Sequence, residues 1–289
     1  MSTRRSPRAA LAALLAAALL AVLAPAAQAA PKRLVALSPF SANVAVKLGV
    51  KPIAIGETLG GRDRFAPVLR RTRVLPLSHP NGPNLEQIAS LKPDLVYSSS
   101  TWAKGNASMR ELGLRVISRD PKSIPAVYRQ IKAIGKELGR RAQAERLVSG
   151  MKRSISAARK GIKRRPTVML ILGVGRTPFT FLPSSWGGAV IAAAGGRLLT
   201  GGVSGVEGFA RISDEVVVAE DPDVIIAVPH ANQQDIPSLT QYLRDNPAWR
   251  TTSAVRNGRI YISVDNSLLQ PGTDIGRVIR KVRREYLRN

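Results

Sequence analysis

From Arg33 onward, short apolar runs alternate with helix-patterned stretches, and the alternation lapses once, between residues 122 and 165. A chain written this way builds strands covered by helices, so it folds as α/β layers, and one long lapse divides it into two such units. In the first unit "RLVALSPF" reads as a strand ending in a Ser-Pro turn, "SANVAVKLG" as a helix closed by Gly49, and "KPIAIGET" as a second strand. In the second, the rhythm restarts after Pro166 with "TVMLILGV" and "WGGAVIAAAGG", passes through "GRIYISV" and ends on the helix "DIGRVIRKVRREYLR". The intervening stretch has apolar residues at three- and four-residue spacings and reads as one long or two consecutive amphipathic helices, basic on the outer face. The expected organisation is an α/β lobe over 31–121, a bridging helix over 122–165 and a second α/β lobe over 166–289.

Each lobe contains the same short phrase. "NLEQIASLKPDLVYSSS" at 84–100 is echoed by "RISDEVVVAEDPDVIIAVPH" at 211–230, with Glu86 and Glu215 each seven residues before a Pro-Asp pair and an apolar run. Asn84 and Gln87 have capping-box spacing, so a short helix ended by Pro93 and a buried strand follow. A glutamate at a helix N-terminus is ordinary, since it meets the positive end of the helix dipole. Its recurrence in both lobes asks for a further reason.

The ends and the composition narrow the function classes. Residues 1–30 begin with Arg4, Arg5 and Arg8, continue as an Ala/Leu run and finish at Ala27-Gln28-Ala29, the pattern of a cleavable secretory signal. No later stretch approaches the roughly 18 apolar residues of a membrane span, so the expected location is periplasmic or otherwise extracytoplasmic. The chain has no Cys, which excludes disulfides, cysteine-ligated zinc and a cysteine nucleophile. Its formal charge is +25, or +22 without the three leader arginines. Nucleic acid is not the expected partner, because aromatics are only 4% and the basic residues do not interleave with them. An anionic small ligand or an acidic cell envelope suits the charge better.

Taken in order, "RLVALSPF", "NLEQIASLKPDLVYSS", "LGLRVIS", "SWGGAVIAAAGG", "ISDEVVVAEDPDVIIAV" and "NPAWRTTSAVRNGRIYIS" are similar to a family. The chain resembles the periplasmic solute-binding proteins that deliver vitamin B12, ferric siderophores or haem to importers of the ATP-binding cassette type, from about Pro31 to Arg288. The resemblance implies two Rossmann-like lobes joined by a long bridging α-helix, a ligand cleft between them, and only a small closure on binding. It puts permease docking on Glu86 and Glu215, one charge per lobe for a twofold transporter, with Asp214 and Glu220 as alternative carriers of the second charge. The function it implies is capture of a metal chelate such as a ferric siderophore, or of a corrinoid such as cobalamin, by a monomer that hands it to an ABC permease dimer. Haem or metal-ion binding by the same fold is the alternative, as is a basic envelope-binding protein without a transport role.

Ligands of open α/β sheets bind beyond the carboxyl ends of the strands. The loops there supply Ser38, Phe40, His79, Tyr97, Trp102, Arg176, Phe179, Trp186, His230 and Asn266 as candidate contacts. An aromatic and polar lining of this kind suits a large ligand. His79 and His230 are the only histidines, and without a placed third ligand they do not define a metal site; no cofactor is expected. "GVGRT" lacks the third glycine and the acidic partner of a dinucleotide fingerprint. Ser38, His230 and Asp265 compose a triad only on paper, with no G-x-S-x-G elbow, so the chain is not expected to be an enzyme.

Overall fold

The computed structural model describes residues 31, 33–57, 65–78, 81–174, 177–230 and 235–288. Pro31–Asn289 forms one compact unit. Its first sheet is built from β1 (Leu34–Ala36), β2 (Ala54–Gly56), β3 (Arg73–Leu75), β6 (Leu95–Ser98) and β7 (Val116–Ser118), in the order β3-β2-β1-β6-β7 and parallel throughout. A small antiparallel pair, β4 (Leu77–Ser78) with β5 (Gly82–Pro83), lies between β3 and β6 in the chain. The second sheet centres on β8 (Thr167–Val174) and β12 (Val224–Pro229), with β13 (Ile260–Ile262) beyond β12. On its other edge β8 pairs in parallel with β10 (Arg197–Leu199) over its first half. Over its second half it pairs antiparallel with β9 (Thr177–Phe181), which carries β11 (Phe209–Arg211).

The two sheets repeat one plan. Leu34 faces Leu95 across β1 and β6 as Val168 faces Val224 across β8 and β12, and β2 and β10 occupy the same flank. Parallel strands need helices on both faces, so they read as continuous apolar runs instead of alternating ones; every residue of β1, β6 and β12 is buried.

Side-chain alternation along the strands separates two helix layers. Leu34, Leu95, Val168, Leu170 and Val224 point into a core shared with α1 (Pro39–Lys47), α4 (Ile124–Glu137), α5 (Arg141–Arg159), α6 (Trp186–Ala194) and α10 (Ile275–Glu285). Their neighbours Val35 and Val96 pack on the opposite side against Ile88 of α2 (Leu85–Ser90) and Met109 of α3 (Ala103–Glu111). Met169, Ile171 and Ile225 likewise meet Val217 of α7 (Asp214–Glu220) and Leu243 of α8 (Ile236–Arg244) on that opposite side. The short α9 (Ser253–Arg256) completes the helices of the described residues.

The stretch that sequence reads as one long or two consecutive helices is two, α4 and α5, and they fold back on each other. Gly139 turns the chain at a left-handed φ of 65°. Gly135 lets the helices close: a Cβ there would stand 2.4 Å from that of Ala144. The second half of α5 lies against α10, where Gly276 gives the same freedom beside Ser154 and the Arg283 guanidinium donates to the carbonyls of Ala158 and Lys160. One apolar core therefore runs unbroken from β1 and β6, through α1, α4 and α5, to α6, α10, β8 and β12.

Candidate ligand site and docking face

The repeated phrase separates into a structural half and an exposed half. Asn84 and Ser213 cap their helices, accepting from the N–H groups of Gln87 (2.9 Å) and Val216 (3.5 Å), and Glu86 and Glu215 follow as the second helical residue of each. At the other end Lys92 and Asp221 take matching left-handed conformations, φ 42° and 38°, immediately before the prolines. The aspartates after those prolines then pin the start of the central strands: Asp94 accepts from the Arg33 N–H at 2.9 Å and Asp223 from the Thr167 N–H at 2.7 Å. That hydrogen bond holds the Asp223 carboxyl below its usual range. The Pro-Asp pairs are thus explained by strand anchoring, and the glutamates are not.

Glu86 and Glu215 are exposed, on the sheet face covered by α2 and α7. A hydrogen bond from Ser213 keeps the Glu215 carboxyl below its ordinary pKa, and Glu215 is ionised at neutral pH. Asp214 is occupied otherwise, accepting from the Trp249 indole N–H at 2.6 Å and from the Asn246 amide at 3.1 Å. Glu220 sits partly buried in the last turn of α7. Of the three acids considered for the second lobe, Glu215 is the one turned outward at a position equivalent to Glu86.

At the carboxyl edge of the first sheet, Ser38 caps α1 through the Ser41 N–H at 3.3 Å and shares a 2.9 Å hydrogen bond with the Ser41 hydroxyl. Phe40 turns inward and is 2% exposed. Tyr97 is buried completely, its hydroxyl donating to Glu137 at 2.7 Å while Glu137 pairs with Arg119, whose guanidinium lies 5.8 Å from the tyrosine ring centre. Burial, reinforced by the Glu137 carboxylate, pushes the Tyr97 hydroxyl far above its ordinary range. It is a neutral core donor locking α4 to the sheet, which corrects its placement on the ligand wall. Trp102 ends a 3-10 turn, Ser100–Trp102, capped by Ser99, and stands half-buried over Gly82, where an added Cβ would come within 3.2 Å of it.

At the second sheet, Trp186 is 4% exposed and donates its indole N–H to the Ser267 carbonyl at 3.0 Å, which anchors the start of α6 and makes it, like Phe40, a core residue. Phe179 is half-buried against the shared core. Asn266 is buried at φ 54°, and its carbonyl accepts from Leu269 and Gln270. His230 continues the ladder beyond β12, its N–H on the Gly173 carbonyl at 2.9 Å, and its half-buried ring has a pKa lowered by burial. Ser38, Trp102 and His230 therefore remain accessible at the strand ends, whereas His79 and Arg176 lie outside the described residues. The Asp265 carboxylate of the paper triad is taken by Lys281 at 2.7 Å and by the Ser267 N–H at 3.0 Å; burial pushes its pKa up, and those donors outweigh burial and bring it to about 2. Among the described residues no group of three His, Cys, Asp or Glu gathers as a metal site.

The sequence reading missed the Arg119–Glu137 pair. A signal was present, because Glu137 is one of two acidic residues among fourteen basic ones in 122–165, and an acid isolated in that way is a candidate for an inward-facing partner.

Two repeated sheets with parallel centres and a shared helical core behind them define a two-lobed α/β fold. The chain belongs to the periplasmic binding protein family, whose model matches residues 34–265. A cobalamin-binding protein of Halobacterium salinarum is 28% identical over 251 residues, covering 85% of this chain and 66% of that protein. The high-affinity heme uptake system protein IsdE of Staphylococcus aureus is 26% identical over 192 residues, 64% of each chain, so this chain spans just under two thirds of these relatives' length. The structure of IsdE complexed with heme superposes with a TM-score of 0.75 at 19% identity, covering 89% of this chain and 99% of that one. An ABC-type Fe3+-hydroxamate transport protein from Saccharomonospora viridis superposes with a TM-score of 0.73 at 19% identity, over 88% and 93%.

Proposed function

We propose that the protein is the extracytoplasmic binding component of an ABC importer, holding a metal chelate or a corrinoid between its lobes and docking on a permease dimer through Glu86 and Glu215. The lobes of this reading are 31–121 and 166–289, with 122–165 as the bridge, and residues 1–30 serve as a cleavable export signal. The protein acts as a monomer and performs no chemistry on its cargo. The observation that carries the docking half is the pairing itself: two exposed carboxylates at the same helical position, on the same sheet face, of two repeated units. A twofold receptor is matched by such a pseudo-twofold pair, and rim charges of this kind set orientation and encounter rate more than affinity.

The relatives' cargoes, cobalamin, heme and a ferric hydroxamate, are all large complexes of one metal ion. Trp102 and His230 suit such a cargo, one giving an aromatic face and the other a neutral imidazole at pH 7. His230 also supports the second reading, a haem carrier, because burial keeps a nitrogen lone pair free of protons at that pH. The test couples two measurements. Glu86→Arg with Glu215→Arg abolishes delivery in reconstituted transporter while cargo affinity stays within twofold, and unimpaired uptake overturns the docking assignment. A thermal-shift screen against cyanocobalamin, haemin and ferric and iron-free siderophores names the cargo: saturation at a hundredfold over Kd adds about 2.7 kcal/mol. Metal-free chelators shifting the midpoint as much as their ferric forms would overturn the chelate reading.

A further inference from the structure

The positive charge of this protein is uneven: residues 31–121 hold fourteen Lys and Arg against six acids, or +8, and the densest share lies further along the chain. Residues 122–165 hold fourteen Lys and Arg against two acids, and 275–289 hold six against one, giving +12 and +5. Residues 166–274, the rest of the second lobe, are net −3. The two basic segments form α4, α5 and α10, which pack side by side on one face of the sheets, whereas Glu86 and Glu215 lie with α2 and α7 on the other. The apolar sides of the three helices are used up in the shared core, and their outer sides are charged.

We propose that this helical layer is a docking surface for a linear, phosphate-rich polymer of the cell envelope. Between α4 and α5 an open groove of about 450 Å³ is lined by Tyr128, Lys152, Ile155, Ser156, Arg159 and Lys160, and the Lys152 ammonium stands 5.6 Å from the Tyr128 ring centre. Arginine and lysine along a groove meet a chain of phosphates in successive contacts, and release of the polymer's counterions makes the binding steep in salt. A bilayer is the poorer partner, because a helix lying in a membrane surface inserts an apolar face. The exposed large apolar residues among the described ones, Val68, Leu112, Val174, Val206 and Val264, all lie outside this layer. Single-stranded nucleic acid would need a series of aromatic platforms, and Tyr128 is the one aromatic of 122–165. Facing away from Glu86 and Glu215, the layer stays available while those residues engage a permease. That orientation rests on the docking proposal; the polymer binding does not.

The probe is inorganic polyphosphate of about sixty units, set against orthophosphate and against vesicles of phosphatidylglycerol in phosphatidylcholine. The purified protein is expected to bind polyphosphate, to lose at least tenfold in affinity between 50 and 200 mM salt, and to ignore orthophosphate. K152Q/R153Q/R159Q/K160Q is expected to lose a further tenfold or more at fixed salt, whereas K47Q/K51Q/R70Q/R71Q, with the same change in net charge on the first lobe, loses less than threefold. Should the first variant fold poorly, K163Q/R164Q/R165Q, in the exposed stretch after α5, reads the same effect. Equal losses in the two sets would reduce the effect to net charge and overturn the proposal. So would absence of polyphosphate binding, or vesicles bound as tightly as the polymer.

Discussion

Among the described residues, His230, a half-buried imidazole at the end of a strand, is the one through which this fold responds to mild acid. Burial disfavours its charged form, so its folded pKa lies below the ordinary 6.5 while the unfolded chain titrates at that value. Between the two, the unfolded state binds more protons, and stability falls as pH falls. The stability is fully present above 6.5 and is lost as pH drops through the folded value. Each unit of depression is worth about 1.4 kcal/mol, less the share that water screens at a ring still partly exposed. Thermal midpoints of the protein and of His230→Gln, measured from pH 7.5 to 5, are expected to separate by a gap that changes across this window. Parallel curves would show that the ring titrates as it does in the unfolded chain. The carboxylates held low, Asp221, Asp223, Glu215 and Asp265, all titrate below the window and do not blur it.

At the scale of elements, glycines decide how closely the helices meet. A Cβ on Gly276 would stand 2.0 Å from the Ser154 hydroxyl and 2.9 Å from its backbone carbonyl carbon, so α10 must move away from α5 to admit it. Gly276→Ala gains about 1 kcal/mol of helix propensity against about 1 to 3 kcal/mol of overpacking. A lowered urea midpoint with unchanged slope is the expected outcome, and a raised one would mean that the contact is looser than described. Such contacts explain what sequence alone conveys and withholds. The strand and helix alternation, the Pro-Asp turns and the cap at Asn84 are local, and all were legible, whereas the equally local caps at Ser38 and Ser213 went unread. The division of the bridge was not, because Gly135, Gly139, Gly150 and Gly161 look alike in a helical pattern and only Gly139 lies at the turn between α4 and α5. Packing selects among them. For the site, a strand end looks like a cleft wall from sequence, yet Tyr97 shares its face with Leu95 two residues earlier, and that parity sends both into the helix-covered core. Trp186 gave no such warning; its partner, the Ser267 carbonyl, is 81 residues away.

For the whole molecule, the unbroken core sets how far the lobes can move. A carrier whose lobes meet only through extended strands bends by rotating a few backbone angles. Here α4 is tied to the first sheet by Tyr97, Glu137 and Arg119, and α5 is tied to the second lobe through α10, Ser154 beside Gly276 and Arg283 on the carbonyls of Ala158 and Lys160. Wide opening would expose apolar surface along α5, at about 25 cal/mol for each Å². A ligand repays that only through differential affinity for the closed form. The cheaper response is local adjustment at the strand ends, with backbone shifts of about 1 Å or less. Scattering from the protein with and without saturating cargo is therefore expected to change the radius of gyration by less than about 1 Å, from about 18 Å for a domain of this size. A larger contraction would require the shared core to part, and protection from hydrogen exchange along α5 would fall with it. Retained protection together with a large contraction would instead place the hinge outside α4 and α5 and overturn the rigid-bridge account.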